Sequence, residues 1–252
     1  MKRHFSRAAA RCLYPLVRGA GGIRILCYHA INDAKPDYMN VTPGAFAEQM
    51  AWLHGEGYRT VGLDSLFGAS TAGRDRAIIL TFDDGYADNY EQAFPVMRRY
   101  GFTGTIFCVS SRVGQPLYLS PAQIHEMQQA GFAFGSHTVS HPRLPQLPAA
   151  DKRREFTESR KALEQLTGRE VPWFCYPYGM YDAECFGLLA EAGYKGAVCN
   201  APGANHPGSI PDPYALRRTE IGGFDTLEDF RLKTAGAFDW LHTVLHTLRG
   251  RP

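Results

Sequence analysis

No two cysteines in this 252-residue chain stand in a CxxC spacing; the six lie singly at positions 12, 27, 108, 175, 185 and 199. That removes a structural zinc knot built from thiolate pairs. Cys27, Cys108, Cys175 and Cys199 each sit in an apolar run and read as small buried hydrophobes. They neither demand nor exclude an oxidising compartment. Neither GxGxxG nor GxxxxGK[ST] follows an apolar run, so the usual signature of a nucleotide fold is missing. No stretch approaches the roughly 18 apolar residues of a transmembrane helix. Charge imbalance is missing too. Lys and Arg number 27 and Asp and Glu 25, a net charge of +2 that gives no basis for a nucleic-acid partner. Internal repeats and low-complexity tracts are likewise absent.

Acids are missing from the start of the chain. None precedes Asp33, whereas Lys2, Arg3, Arg7, Arg11 and Arg18 are basic. Arg11 and Pro15 break the apolar run that a secretory signal needs, so the residues supply no export signal. Residues 1–22 are set apart as a basic N-terminal segment. Arg3, Arg7 and Arg11 recur at helical spacing, which suits peripheral contact with an anionic membrane through residues 2–18; a loosely ordered tail is the alternative.

What is present from residue 23 onward is alternation of apolar runs with helical patterns. Strands are expected at 23–28, 77–82, 105–109, 132–135, 171–176, 194–199 and 216–221. Helices are expected after the caps Thr42, Ser120 and Thr226, near 89–100 with a bend at Pro95, over 149–167, and over 182–192. The run DKRRE at 151–155 reads as a solvated helix face, with Phe156, Leu163 and Leu166 inward. The last helix is expected to run toward Leu248. This order predicts an α/β fold: a distorted (β/α) barrel of about seven parallel strands, similar to a TIM barrel, with an open doubly wound sheet as the alternative.

Two segments at strand ends carry chemistry. Asp83 and Asp84 are adjacent carboxylates where an apolar strand stops. They repel each other unless a cation relieves them, and one can then bind metal while the other stays free as a base. A plain Asp-Gly turn is the other reading. His137 and His141 follow a second strand at i, i+4 and converge if the segment makes a helical turn. With one Asp they make three protein ligands and leave positions open for water and substrate. Exposed loop histidines are the alternative. His242 and His246 repeat the spacing inside the expected last helix, away from any strand end, and are not favoured. Tyr176-Pro177-Tyr178-Gly179 makes a rigid turn able to aim a backbone N–H. His29, alone after the first strand, suits a structural hydrogen-bonder. Tyr86, Trp173, Tyr178 and Tyr181 suit either core positions or a sugar-stacking cleft.

Taken together, TFDDG (81–85), SHTVSH (136–141) and YPYG (176–179) resemble the first three motifs of the polysaccharide deacetylase superfamily, which includes chitooligosaccharide, peptidoglycan and xylan deacetylases. The resemblance spans residues 23–221, and the deacetylase domain is accordingly placed at 23–252. With the Tyr28-His29 start, it is nearest the branch acting on poly-β-1,6-N-acetylglucosamine. The resemblance implies a divalent metal, zinc first with cobalt, nickel or iron as alternatives, held by Asp84, His137 and His141. It further implies Asp83 as base, His29 as acid and the Tyr178 N–H as oxyanion donor. FCYPYG lacks the Arg most relatives carry there, and the branch draws one from a late strand, here Arg218 or Arg217. The usual late Leu-x-His motif is also missing, since Trp240 and Val244 precede His242 and His246. The implied substrate is an acetylated amino-sugar polysaccharide or oligosaccharide. An O-acetyl esterase and a non-catalytic carbohydrate-binding protein are the rival functions. Family resemblance places the activity at the cell envelope or outside the cell; the residues alone suit a cytoplasmic or membrane-peripheral protein.

Overall fold

The computed structural model describes residues 7, 9–14, 21–34, 37–68 and 76–239. Its strands are β1 Ile23–Tyr28, β2 Ala30–Ile31, β3 Asn40–Val41, β4 Arg59–Thr60, β5 Ala77–Phe82, β6 Thr105–Cys108, β7 Ala133–Ser136, β8 Trp173–Cys175, β9 Gly196–Val198, β10 Ala204–Asn205 and β11 Thr219–Glu220. Strands β1, β5, β6, β7, β8 and β9 pair in that order, all parallel. The segment leading into β11 supplies the seventh parallel strand. Leu216 bridges Val198 at one edge, and Thr219 pairs with Leu26 at the other. The curled sheet is thus joined edge to edge, as the alternation predicted. The parallel order puts the C-termini of these seven strands at one rim, where barrel enzymes build their sites.

Pleating sorts the apolar residues into two layers. Ile23, Ile25, Ala77, Ile79, Phe107, Val198 and Leu216 fill the barrel, plugged from below by Leu63 and Leu66. Leu26, Tyr28, Ile78, Leu80, Phe82 and Phe174 face outward against Phe46, Met50, Ile124, Phe156 and Leu163 of the surrounding helices. Burial of each such side chain contributes about 1.5–3 kcal/mol. Trp173 belongs to the inner layer, stacked on Phe67 at 5.6 Å, so it does not line a sugar cleft. An aromatic next to a strand end is placed by the pleat, which the residue type does not reveal.

Thr42 caps helix Pro43–Gly55, Ser120 caps Pro121–Gln129 and Thr226 caps Leu227–Ala235, each accepting a backbone N–H. Two expectations are corrected. The helix capped by Thr226 stops at Ala235, because Gly236 turns left-handed (φ 84°) and ends it; the rest of the expected stretch toward Leu248 lies beyond the described residues. The helix expected near Pro95 is present and irregular there: a π-helical stretch, Asn89–Ala93, runs without a break into the α-helix Phe94–Arg99. Proline cannot donate to the preceding turn, and that turn widens. On helix Ala149–Thr167, Lys152 and Glu155 are buried, not solvated. They fall on the same stripe as Phe156, Ser159 and Leu163.

Within the N-terminal segment, residues 9–14 are helical. They lie against helix Leu227–Ala235: Arg7 pairs with Asp229 and Arg11 with Glu228, and Ala10 packs with Leu232. The remainder of the expected membrane-contact stretch 2–18, and His242 and His246, lie outside the described residues. Among the described residues, no helix is long and apolar enough to cross a membrane.

Candidate active site

Asp83 extends the inward positions of β5, its N–H donating to the Tyr28 carbonyl at 2.9 Å. The chain then reverses through Asp84 (φ 69°) and Gly85 (φ 75°), which sends the second carboxylate away from the first. Gly85 is required there: a Cβ would lie 3.0 Å from the Cys108 sulfur. From β7, His137 donates its N–H to the Cys108 carbonyl. The next residues converge without the helical turn that the i, i+4 spacing would use. Thr138 (φ 70°) and His141 (φ 63°) are left-handed, and this folds the two imidazoles onto one point. Such residues cost about 1–3 kcal/mol each and persist only where the surroundings hold them. Here the Thr138 hydroxyl donates to the His137 carbonyl and accepts the His141 N–H.

Asp84, His137 and His141 form one cluster. The two imidazole Nε2 atoms are 3.2 Å apart, and Asp84 Oδ1 lies 3.5 Å from His141 Nε2 and 4.0 Å from His137 Nε2. A four-coordinate ion with bonds of about 2.0–2.1 Å places its ligands about 3.3 Å apart, so the set fits a zinc-type cation. The Cys175 carbonyl lies 2.8 Å from His137 Nδ1, which puts the proton there and turns the Nε2 lone pair into the cluster. Burial pushes His137 down, and burial with the neighbouring His137 pushes His141 down to about 4. Two neutral nitrogens facing each other at this distance suit a shared cation.

Neutral imidazoles have a consequence for stability. The folded values lie below the ordinary 6.5, so the unfolded chain binds more protons over the interval between. Their contribution is complete above that value and is lost as pH falls. The urea midpoint of the metal-free protein should stay level above pH 6.5 and decline toward about pH 4. A midpoint unchanged across that window would contradict neutral ligands.

Beneath the cluster, Arg218 rises inside the barrel and holds Asp83 in a two-pronged pair, Nη1 to Oδ1 at 2.6 Å and Nη2 to Oδ2 at 2.7 Å. Its remaining donors reach the Cys199 carbonyl and Asn200 Oδ1. Burial alone raises Asp83, but the Arg218 charge and hydrogen bonds, with His137 and His29, hold it well below the usual carboxylate range. Arg217 points elsewhere, its side chain against Gly203. His29 Nε2 stands 3.8 Å from Asp83 Oδ2, and its buried Nδ1 has no protein partner. Asn89, in the π-helical stretch, donates to the His29 carbonyl at 2.7 Å.

Tyr178 sits at φ 59° on the rim, its exposed ring 4.6 Å from that of His141 and the Arg143 guanidinium 4.6 Å from the same ring. Tyr86 stacks on Tyr118, and Tyr181 on Tyr176. A cavity of about 1210 Å³ opens at the other end of the strands, near Ile23, Ala77 and Ile78; Arg217 lines it, and Asp83, Asp84, His29, His137, His141 and Arg218 do not.

Several neighbours escaped the sequence. Cys27 and Cys175 place their sulfurs 3.5 and 3.3 Å from Asp83 Oδ2. Burial pushes both thiols well up, so they stay protonated and act as donors. Strand alternation could have found them, since Cys27 follows Ile23 and Ile25 on the inward face. Glu155 hydrogen-bonds the loop between the two histidines. Its signal was a carboxylate on the apolar stripe of a helix.

Fold and site together define an α/β-barrel protein with a carboxylate–imidazole cluster and an arginine-held carboxylate at the strand ends. The polysaccharide deacetylase family model matches residues 70–197. YxkH of Bacillus subtilis (strain 168), whose name places it among polysaccharide deacetylases, is 32% identical over 200 residues, 78% of this chain and 70% of its own length. A poly-beta-1,6-N-acetyl-D-glucosamine N-deacetylase of Staphylococcus aureus is 22% identical over 198 residues, 72% of this chain and 68% of its own. The Streptococcus pyogenes deacetylase PplD, solved in complex with acetate, superposes with a TM-score of 0.77 at 26% identity, over 85% of this chain and 98% of its own. The chain belongs to the polysaccharide deacetylase family, hydrolases that release acetyl groups from polysaccharides.

Proposed function

We propose that this protein removes N-acetyl groups from N-acetylglucosamine units of a glycan with the help of a zinc-type divalent cation. The observation that carries the reading is an ionised carboxylate, Asp83, both of whose oxygens are held by Arg218, set beside the three donors Asp84, His137 and His141. A cation held by those three residues supplies polarisation of the acetyl carbonyl and acidification of water. Asp83 accepts the water proton. The two-pronged Arg218 pair keeps that carboxylate ionised and so free to take a proton. His29 is within reach of the same space and gives its Nε2 proton to the departing amine. The left-handed turn at Tyr178 presents its N–H toward the developing oxyanion. The name of the Staphylococcus aureus relative supports the amide bond and the sugar.

The test is acetate release from β-1,6-linked N-acetylglucosamine oligomers and from O-acetylated xylan, with and without a chelator. Release from the amide substrate should exceed release from the ester, stop on chelation, and return with Zn²⁺ or Co²⁺. Preference for the ester would make this an O-acetyl esterase. Turnover indifferent to chelation would refute the metal role, and no release from any acetylated glycan would leave a binding protein of the same fold.

A further inference from the structure

We propose that Glu155, a helix residue outside the cluster, is the positioning residue that sets the spacing of the two imidazoles; this rests on the metal-centre reading above. The Glu155 side chain is buried. Its Oε2 accepts the Val139 N–H at 2.7 Å and the Ser140 N–H at 3.0 Å, and its Oε1 accepts the Ser140 hydroxyl at 2.7 Å. All three donors lie between His137 and His141 in the chain. Two successive N–H groups following a left-handed residue form a concavity that binds anions. Here the anion is one of the chain's own side chains.

The loop needs such a hold. Thr138 is β-branched yet left-handed, and His141 is left-handed too, so the segment relaxes if released. In addition, two neutral nitrogens whose lone pairs share a space 3.2 Å across repel each other before any cation arrives. The Thr138 hydroxyl ties the loop only to itself. On one side the Ser110 and Ser111 N–H groups donate to the Thr138 and Val139 carbonyls, and on the other Glu155 ties the loop's own N–H groups to the helix. One turn before it on the helix, Lys152 Nζ bonds Asp182 and Glu184 at 2.5 and 2.8 Å. One turn after it, Ser159 meets Ser136 at the end of β7, hydroxyl to hydroxyl at 2.7 Å. Glu155 therefore organises the imidazoles in advance of the metal, and its loss should be read first in metal affinity.

The experiment is zinc competition against a chelating dye on the full chain, with circular dichroism of each metal-free variant. Glu155→Ala should fold and bind Zn²⁺ about 10–100-fold more weakly, the usual effect of losing an outer hydrogen-bond partner. Glu155→Gln keeps an oxygen for the two N–H groups and an amide for the Ser140 hydroxyl, so it should stay within about threefold of the parent. Glu158→Gln, on the exposed face of the same helix, should change nothing. The proposal is overturned if folded Glu155→Ala binds zinc like the parent, or if Glu155→Gln is as poor as Glu155→Ala. Should Glu155→Ala not fold, Ser140→Ala removes the Oε1 bond alone; a severalfold loss supports the proposal and an unchanged affinity overturns it. A parent protein that binds no zinc would instead overturn the metal-centre reading and this proposal with it.

Discussion

Arg218→Met should lower the unfolding free energy by about 3–5 kcal/mol, because it leaves the Asp83 carboxylate buried without its partner. The guanidinium fills the barrel near Phe107, and the methionine chain replaces most of that volume, so lost packing is a minor share. The pair is structural and functional at once, and a double variant separates the two roles. Asp83→Asn with Arg218→Met removes both charges and should recover much of the stability lost by Arg218→Met alone. It should recover no activity. Denaturant midpoints of the parent, both single variants and the double variant provide the cycle. An Arg218→Met protein as stable as its parent would mean that the buried carboxylate finds compensation elsewhere, and the account of the barrel interior would fall.

The second large effect is on turnover. Asp83→Asn keeps the shape of the side chain and one acceptor, but it cannot take a proton from water. The rate per folded, metal-loaded molecule should drop by about 10²–10⁴, the usual weight of a general base. Metal content should be unchanged, since both Asp83 oxygens are taken by Arg218 and the cation is assigned to Asp84, His137 and His141. Acetate release assayed beside metal analysis of the same sample makes the comparison. Loss of metal together with rate would place Asp83 in the cation site; retained rate would move the base elsewhere. Asp83→Asn also leaves Arg218 unpaired, so the assay must be run where the variant is shown to be folded.

Both expectations trace to residues that differed in how readily the sequence disclosed them. Asp83, Asp84, His137 and His141 stood out because acids and imidazoles at the ends of apolar strands have few other uses. The bounds of β1, β5 and helix Ala149–Thr167 were legible for the same local reason. Continuous apolar runs mark strands buried on both sides, and a helix of this length shows its stripe plainly. Arg218 was legible only as one of two neighbours, because strand pairing decides which of them faces the barrel. Trp173 stayed open between core and cleft, and Cys27 and Cys175 were legible as buried but not as neighbours of Asp83, through that same dependence on the pleat.

The chain's own order of residues determined the barrel, the parallel sheet and the list of chemical groups, since these follow from patterns a few residues long. Only tertiary structure decided how the groups meet. Asp84, Thr138, His141 and Tyr178 take left-handed backbone angles that their residue types disfavour. Such angles are held by contacts from distant parts of the chain, among them Glu155 beneath the histidine loop and Asn200 against Gly179. Local propensity argues against these conformations, so no local reading arrives at them. The site exists because long-range contacts outweigh that preference at those positions.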